Sequence, residues 1–261
     1  MNDFKVIESS QNSVIKQICK LQVSSKERYE SGLFVIEGLR ICKDACENGI
    51  RFNKFIVSEE AINKFYDEIK AFAENSCECI KVTDSLFRKI SDTKNPQGIA
   101  AVASMPDNSS NNINLKGRYI ALENISDPSN LGAVARTAEA LGASGIILSA
   151  DGCDPYSPKV LRASMGTLLR VPLIMLKDFS GQIGKLGLKL YSCVVDKEAQ
   201  SITNAGFQDG CAVIIGNEAN GVTAETKKVS DLLITIPMQG AAESLNAAAA
   251  AAISIWEMMK V

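Results

Sequence analysis

The sequence predicts an α/β protein made of two domains, and three observations support this prediction. Short apolar runs typical of buried strands alternate with helical patterns along both halves of the chain. The stretch 105–117 interrupts the alternation, because it is rich in Asn, Ser and Asp and poor in large apolar side chains. The chain has 261 residues, of which 46% are hydrophobic and 22% charged, so each half can bury a core. We therefore expect an N-terminal domain over 1–104, a linker over 105–116 and a C-terminal domain over 117–261.

The N-terminal half begins with a polar stretch that contains one helical pattern, with apolar side chains at three- and four-residue spacing over 14–21. Apolar runs then predict strands at 33–36, 52–57, 79–82 and 99–103. Helices are predicted between them at 39–47, 59–73 and 84–90, the second capped by Ser58. This order is typical of a small α/β sandwich.

The C-terminal half repeats the alternation with longer apolar runs. Strands are predicted at 119–122, 146–148, 171–176, 188–195, 212–215 and 232–236. Helices are predicted at 133–141 and 159–165, and a last one follows Ser244, which can cap it, and contains six consecutive alanines at 247–252. We expect a mainly parallel sheet with helices on both faces.

Polar residues follow several of these strands, at the sheet edge where open α/β folds bind ligands. They form three clusters: Asn124 with Asn130 and Arg136, the loop 217–221, and 244–246. A simpler interpretation of each stays open. Asn130 and Ser244 can be helix caps, Arg136 a surface or salt-bridging residue, Glu218 a solvated loop charge and Asn246 a first-turn helix residue.

Composition excludes several kinds of chemistry. The chain has no histidine, so Ser–His and Cys–His nucleophile pairs are impossible. Neither a GxGxxG nor a GxxxxGK[ST] motif is present, which disfavours dinucleotide and P-loop sites. The formal charge of −2 gives no electrostatic sign of nucleic-acid binding, although local basic faces remain compatible with it.

The cysteines and the apolar runs of the sequence indicate the cellular compartment in which the protein is expected. Eight cysteines are scattered without a CxxC pair, so we expect no zinc site and a reducing compartment. No apolar run approaches the ~18 residues of a membrane helix, and the N-terminus lacks the apolar core of a signal peptide. We expect a soluble cytoplasmic protein.

Order and spacing of the three clusters resemble the signature motifs of the SpoU (TrmH-like) branch of the SPOUT RNA methyltransferases. The first motif is similar to 123–138, the second to 215–221, and the third to 236–238 with 243–248. Residues 30–103, with 34–38 and 95–98, resemble the substrate-binding domain of that family, which is similar to ribosomal protein L30e. The resemblance covers most of the chain and is far more specific than a single glycine motif.

This resemblance implies transfer of a methyl group from S-adenosylmethionine to a ribose 2′-hydroxyl in RNA, without a metal. It also implies a deep C-terminal trefoil knot and a homodimer, and the separate N-terminal domain favours ribosomal over transfer RNA. The matching cofactor-binding positions are Gly216, Ile236 and Leu245, with Met238 and Gly240 in the loop between. The matching catalytic positions are Arg136, Asn130, Glu218, Ser244 and Asn246.

Arg136 would activate the hydroxyl by lowering its pKa or by holding the neighbouring phosphate, because a guanidinium does not readily give up its proton. Lys159, Arg162 and Arg170 are predicted to flank the site. Two other classes of protein stay open: a catalytically silent RNA-binding or ribosome-assembly protein on the same fold, and a nucleotide-binding α/β enzyme of another family.

Overall fold

The computed structural model describes residues 4–260. The chain divides into two compact units. The first unit comprises Met1–Pro106 together with Tyr156–Leu169, and the second comprises Asp107–Pro155 together with Arg170–Val261. A segment from the second half of the chain therefore completes the first unit.

The first unit contains a mixed five-stranded sheet in the order β1-β4-β3-β5-β2. Its strands are β1 (Lys5–Ile7), β2 (Leu33–Glu37), β3 (Phe52–Ser58), β4 (Cys79–Val82) and β5 (Ile99–Ser104). β4 pairs in parallel with β1 and β3, whereas β5 runs antiparallel to β2 and β3. Four of the five strands were predicted; β1, with only three residues, is too short to be recognised from periodicity.

Six helices from the N-terminal part of the chain cover this sheet. They are α1 (Ser13–Val23), α2 (Ser25–Ser31), α3 (Leu39–Glu47), α4 (Glu59–Lys64), α5 (Tyr66–Glu74) and α6 (Asp84–Ile90). The single helix predicted over 59–73 is wrong, because Phe65 leaves helical geometry at φ −128° and ψ 44° and separates α4 from α5. Ser58 caps α4 as predicted, with its hydroxyl accepting from the backbone N–H of Ala61.

The second unit contains a seven-stranded sheet in the order β10-β12-β9-β11-β6-β7-β8, and every pairing is parallel. Its strands are β6 (Arg118–Leu122), β7 (Gly145–Ser149), β8 (Leu173–Leu176), β9 (Lys189–Cys193), β10 (Gln200–Ser201), β11 (Cys211–Ile215) and β12 (Leu232–Thr235). All five residues of the central strand β11 are buried, as expected where helices cover both faces. The predicted parallel sheet is confirmed.

Within the described residues, four α-helices belong to the second unit: α7 (Pro128–Ala140), α9 (Phe179–Ile183), α10 (Ala224–Val229) and α11 (Ala247–Met259). α7 begins five residues before the predicted start at 133, because Asp127 caps it and Pro128 occupies its first turn. The predicted cap of α11, Ser244, is wrong. Asn246 is the cap, since its side-chain oxygen accepts from the N–H groups of Ala248 and Ala249 at 2.9 and 3.2 Å.

The segment Tyr156–Leu169 carries α8 (Pro158–Ala163) and packs within the first unit. The ring of Tyr156 lies 4.9 Å from that of Phe34 on β2, centroid to centroid. Arg162 on α8 forms a 2.6 Å ion pair with Asp92. Local sequence patterns carry no information about this pairing across 70 residues.

Two expectations concern the fold as a whole. The trefoil knot stays a prediction, because strand order does not specify which loop passes through which. None of the helices described over 4–260 has the length and apolar character needed to span a membrane.

The turn after β11 admits only glycine at its first position, which generates a stability prediction. A Cβ on Gly216 would lie 2.0 Å from the carbonyl carbon of Gly221 and 2.1 Å from the backbone nitrogen of Val222. We expect Gly216→Ala to lower the free energy of unfolding by roughly 1–3 kcal/mol or more, because backbone cannot move aside as a side chain does. Gly240→Ala is the matched control, since its Cβ would meet nothing within 4 Å. Equal denaturant midpoints for the two variants would contradict the expectation.

Candidate active site

A cavity of about 420 Å³ lies at the carboxyl edge of the parallel sheet. The ends of β6 and β11 are level there, with Leu122 paired to Ile215, and β9 and β12 end side by side. Loops that follow β9, β11 and β12 enclose the cavity. Four of the five predicted cofactor-binding residues line the cavity, namely Gly216, Ile236, Met238 and Leu245. Gly240 is not among the lining residues.

The loop after β11 folds back tightly on itself. The backbone N–H of Asn217 donates to the carbonyl of Gly221 at 3.1 Å, and the N–H of Gly221 donates back at 2.8 Å. The Asn217 side chain holds the turn from inside, because its oxygen accepts from the N–H groups of Ala219 and Asn220. This closed turn presents backbone and the Glu218 side chain at the rim of the cavity.

Asn130 joins the three polar clusters. Its side chain is buried and donates from Nδ2 to Oε1 of Glu218 at 2.8 Å. Its Oδ1 accepts from Nδ2 of Asn246 at 2.9 Å. One amide therefore connects α7, the loop after β11 and the start of α11. Since Asp127 caps α7, the role of Asn130 as a simple helix cap is wrong.

Glu218 receives several hydrogen bonds besides that of Asn130. The backbone N–H and the hydroxyl of Ser126 donate to its Oε2 at 3.2 and 3.1 Å, and the N–H of Asp127 donates to Oε1 at 3.3 Å. Partial burial acts to raise the pKa of Glu218, but the hydrogen bonds from Asn130 and from backbone N–H groups outweigh it and lower the pKa. The carboxylate is therefore ionised at neutral pH.

Two further sets of hydrogen bonds hold these loops; Asn124 and Asn217 belong to the predicted polar clusters, whereas Glu123, Thr223 and Thr226 were assigned no role from the sequence. The carboxylate of Glu123, 3% exposed, accepts from the N–H and hydroxyl of Thr223 at 2.9 and 2.7 Å and from the hydroxyl of Thr226 at 2.6 Å. Asn124 sits in the left-handed region at φ 55°, and its carbonyl accepts from the side chain of Asn217 at 2.8 Å. Asparagine adopts this region more readily than most other residues.

The predicted catalytic residues are thus only partly brought together. Asn130, Glu218 and Asn246 form one hydrogen-bonded cluster, and Ser244 lines the cavity beside it. Arg136 lies on the exposed side of α7 and makes none of these bonds. The predicted flanking residue Arg170 forms a 2.9 Å hydrogen bond with Glu139.

Neither cysteine near the cavity supplies a reactive thiolate. Burial raises the pKa of Cys153 to about 11, and nearby carboxylates act in the same direction. Burial likewise raises the pKa of Cys193, which lines the cavity, to about 11 despite a hydrogen bond with Ser254. Both thiols stay protonated at neutral pH, so neither is an activated nucleophile.

The cavity lining fits a small molecule that has an apolar ring and both signs of charge. Leu233, Ile236 and Leu245 offer apolar surface for a flat heterocycle. Carboxylates of Asp196 and Glu218 suit positively charged groups, and Lys227 suits a carboxylate. Within residues 4–260 no group of three His, Cys, Asp or Glu side chains could hold a metal ion. The residue types therefore fit S-adenosylmethionine, which combines adenine, a sulfonium, an amine and a carboxylate.

Comparison with known families matches both parts of the chain. The SpoU rRNA Methylase family matches residues 117–256, and the MRM3-like substrate binding domain matches residues 12–101.

Similar proteins span the whole chain. The 23S rRNA (guanosine(2553)-2'-O)-methyltransferase RlmP of Bacillus subtilis is 30% identical over 258 residues, 97% of this chain and 99% of that protein. A 23S rRNA (uridine(2479)-2'-O)-methyltransferase of Streptomyces viridochromogenes is 25% identical over 263 residues, covering 97% and 91%. The AdoMet-bound rRNA methyltransferase of Sinorhizobium meliloti has a TM-score of 0.84 and 27% identity, covering 98% of this chain and 97% of that one.

The three polar segments that carry the sequence motifs thus meet at the carboxyl edge of the parallel sheet. The family match covers more than half of the chain. The relative from Bacillus subtilis matches 97% of it at 30% identity. The chain belongs to the SpoU rRNA methylase family.

Proposed function

We propose that this protein transfers a methyl group from S-adenosylmethionine to a ribose 2′-hydroxyl of ribosomal RNA. In this proposal residues 117–261 bind the cofactor and carry out the transfer, residues 1–104 bind the RNA, and 105–116 join them. The relatives named for activity on 23S rRNA favour ribosomal over transfer RNA.

One observation carries the proposal: Asn130 bonds both Glu218 and Asn246 at the rim of a cavity of suitable size and chemistry. The bound cofactor supplies a methyl group on a positively charged sulfur. The ionised carboxylate of Glu218 favours positive charge at that rim, and Asn130 holds it in place. Methyl transfer requires the ribose oxygen to approach in line with the bond between the sulfur and the methyl group. A rim fixed by hydrogen bonds therefore accelerates the reaction by positioning the reactants.

Arg136 takes the role of activating the 2′-hydroxyl in this proposal. Its exposed position on α7, the helix that also carries Asn130, leaves the guanidinium accessible to RNA. A guanidinium stays protonated, so it lowers the pKa of the hydroxyl or holds the adjacent phosphate. Ser244 and Asn246 complete the reaction centre, and Gly216, Ile236, Met238 and Leu245 contact the cofactor, while Gly240 belongs to the loop between Met238 and Leu245.

The second candidate is a catalytically silent RNA-binding protein on the same fold. Methyl incorporation distinguishes the two. Purified protein is incubated with tritiated S-adenosylmethionine and an unmodified 23S rRNA transcript, and the RNA is digested to nucleosides. We expect the label in one 2′-O-methylnucleoside. Binding of both ligands without incorporation would favour the silent protein.

We also propose that the protein is a homodimer through the outer face of α11. Ile253 and Trp256 are 37% and 56% exposed, and Ala249 lies on the same stripe at i, i+4 and i+7 spacing. An exposed apolar helix face of this kind is typical of a protein interface. A cytoplasmic location follows from the proposed substrate, because ribosomal RNA is found there.

Arg136→Ala tests the proposed activation step. We expect methyl incorporation to fall by on the order of 100-fold or more, because a charged group aimed at the reacting oxygen is lost. Cofactor affinity, measured by calorimetry, stays unchanged. Thr137→Ala is the matched control, since the Thr137 hydroxyl donates to the carbonyl of Ala133 in its own helix. Normal turnover by Arg136→Ala would remove Arg136 from the reaction.

Trp256→Glu tests the proposed dimer. We expect the dissociation constant of the dimer to rise by about 30-fold, because a buried interface tryptophan contributes about 2 kcal/mol. Light scattering after gel filtration gives the mass at each concentration. Val23→Glu provides the comparison, since Val23 is an apolar residue that is 81% exposed on α1. An unchanged mass for Trp256→Glu, or monomeric parent protein, would rule out this interface.

A further inference from the structure

A second cavity, of about 390 Å³, lies wholly within the first unit and shares no residue with the candidate active site. It is formed by the beginning of α3, the loop 93–97 and the end of α8. Besides Glu37, Gly38 and Thr93, the cavity is lined by two arginines, two amides and an apolar pair. These are Arg40 and Arg162, Asn95 and Gln97, and Ile41 and Met165.

The negative charges near this cavity are already engaged. Glu37 accepts hydrogen bonds from the hydroxyl of Thr93 at 2.8 Å, the N–H of Asp92 at 3.0 Å, Gln22 at 3.3 Å and the hydroxyl of Ser91. Asp92 accepts from Nη2 of Arg162 at 2.6 Å. The charge of Asp92 is thus paired with a cation, and both oxygens of the Glu37 carboxylate are engaged by uncharged donors of the protein.

The donors, in contrast, are incompletely used. Nη1 of Arg162 is buried and has no hydrogen-bond partner among the described residues. Arg40 is exposed and, within residues 4–260, forms no ion pair. Gln97 uses its side-chain oxygen to accept from the N–H of Leu39 at 2.9 Å, which turns its amide nitrogen into the available donor. Three side chains with unused hydrogen-bond donors indicate a ligand that is rich in hydrogen-bond acceptors.

The apolar part of the lining is held in a strained conformation. Met165 has φ 53°, in the left-handed region that residues other than glycine rarely adopt. Gly166 beside it packs against α3, because a Cβ there would lie 3.2 Å from the carboxylate of Asp44 and 3.4 Å from Ile41. The Met165 thioether and the Ile41 side chain therefore form a fixed apolar surface, of the kind on which a planar ring can lie.

From these contacts we infer that this cavity binds one nucleotide of single-stranded RNA, with Arg40 and Arg162 on its phosphate and Asn95 and Gln97 on the edge of its base. The inference rests on the proposed function, because it identifies where the first unit holds the RNA substrate. Proteins recognise RNA in this way by accommodating an unstacked base and bonding its exposed edge. It also explains how a chain of net charge −2 binds RNA, since the charge is local.

Arg40→Ala tests the inference without disturbing an internal contact. Affinity for a fluorescein-labelled, unmodified 23S rRNA transcript is measured by anisotropy at several salt concentrations. We expect the dissociation constant to rise by on the order of tenfold, and the slope of its logarithm against log salt to fall by about 0.7, the value for one phosphate of single-stranded RNA. Arg40→Lys keeps the charge and the salt slope. Arg88→Ala, which removes an exposed arginine of α6 outside this cavity, leaves both unchanged.

Gln97→Glu is the second variant, because it preserves the acceptor for Leu39 and replaces the donor with a negative charge. We expect it to weaken RNA binding at least as much as Arg40→Ala, with unchanged thermal stability and cofactor affinity. RNA binding by Arg40→Ala and Gln97→Glu equal to that of Arg88→Ala would overturn the inference. Weakened RNA binding by both variants, together with an absence of methyl transfer by the parent protein, would support this site while refuting the proposed reaction.

Discussion

The arrangement at the sheet edge depends on one buried side chain. The amide of Asn130 has a donor end and an acceptor end, and the structure uses both, toward Glu218 and Asn246 respectively. Glu218 and Asn246 lie 88 and 116 residues from Asn130 along the sequence, so no local preference brings α7, the loop after β11 and the start of α11 together. Because an aspartate lacks the donor and an aliphatic residue lacks both, only an amide of this length satisfies the two partners at once. The level ends of β6 and β11 bring these segments near each other, and the Asn130 amide fixes their positions relative to one another.

Burial and hydrogen bonding have opposite effects on the pKa of Glu218 and thereby set the charge at the site. Burial alone would favour neutral forms of both the thiols and the carboxylate. Hydrogen bonds reverse that tendency at Glu218, whereas nothing reverses it at Cys153 or Cys193. The rim therefore carries a fixed negative charge next to protonated, unreactive thiols. An environment of this kind favours a cationic methyl donor and offers no competing nucleophile to receive its methyl group.

Local patterns predicted most of the fold, and the exceptions have identifiable physical causes. Continuous apolar runs sufficed for the strands of the parallel sheet, since those are buried on both faces. The apolar stripe of 59–73 continues through Phe65, so periodicity could not reveal the break between α4 and α5. Ser244 and Asn246 are both good caps, and the choice between them is made by tertiary contact, because Asn246 also reaches Asn130. For the site, the motifs identified which loops matter, but the supporting network of Glu123 with Thr223 spans 100 residues and is visible only in three dimensions.

The inclusion of Tyr156–Leu169 in the first unit changes how the two units are connected. The polypeptide passes between them three times, after Pro106, Pro155 and Leu169, rather than once. A single proteolytic cut in 105–116 would consequently leave two covalent tethers intact. A fragment ending at 104 would also lack Tyr156, the aromatic partner of Phe34, and would expose the Phe34 surface that Tyr156 covers in the intact chain. The first unit is therefore complete only when residues from both halves of the chain are present.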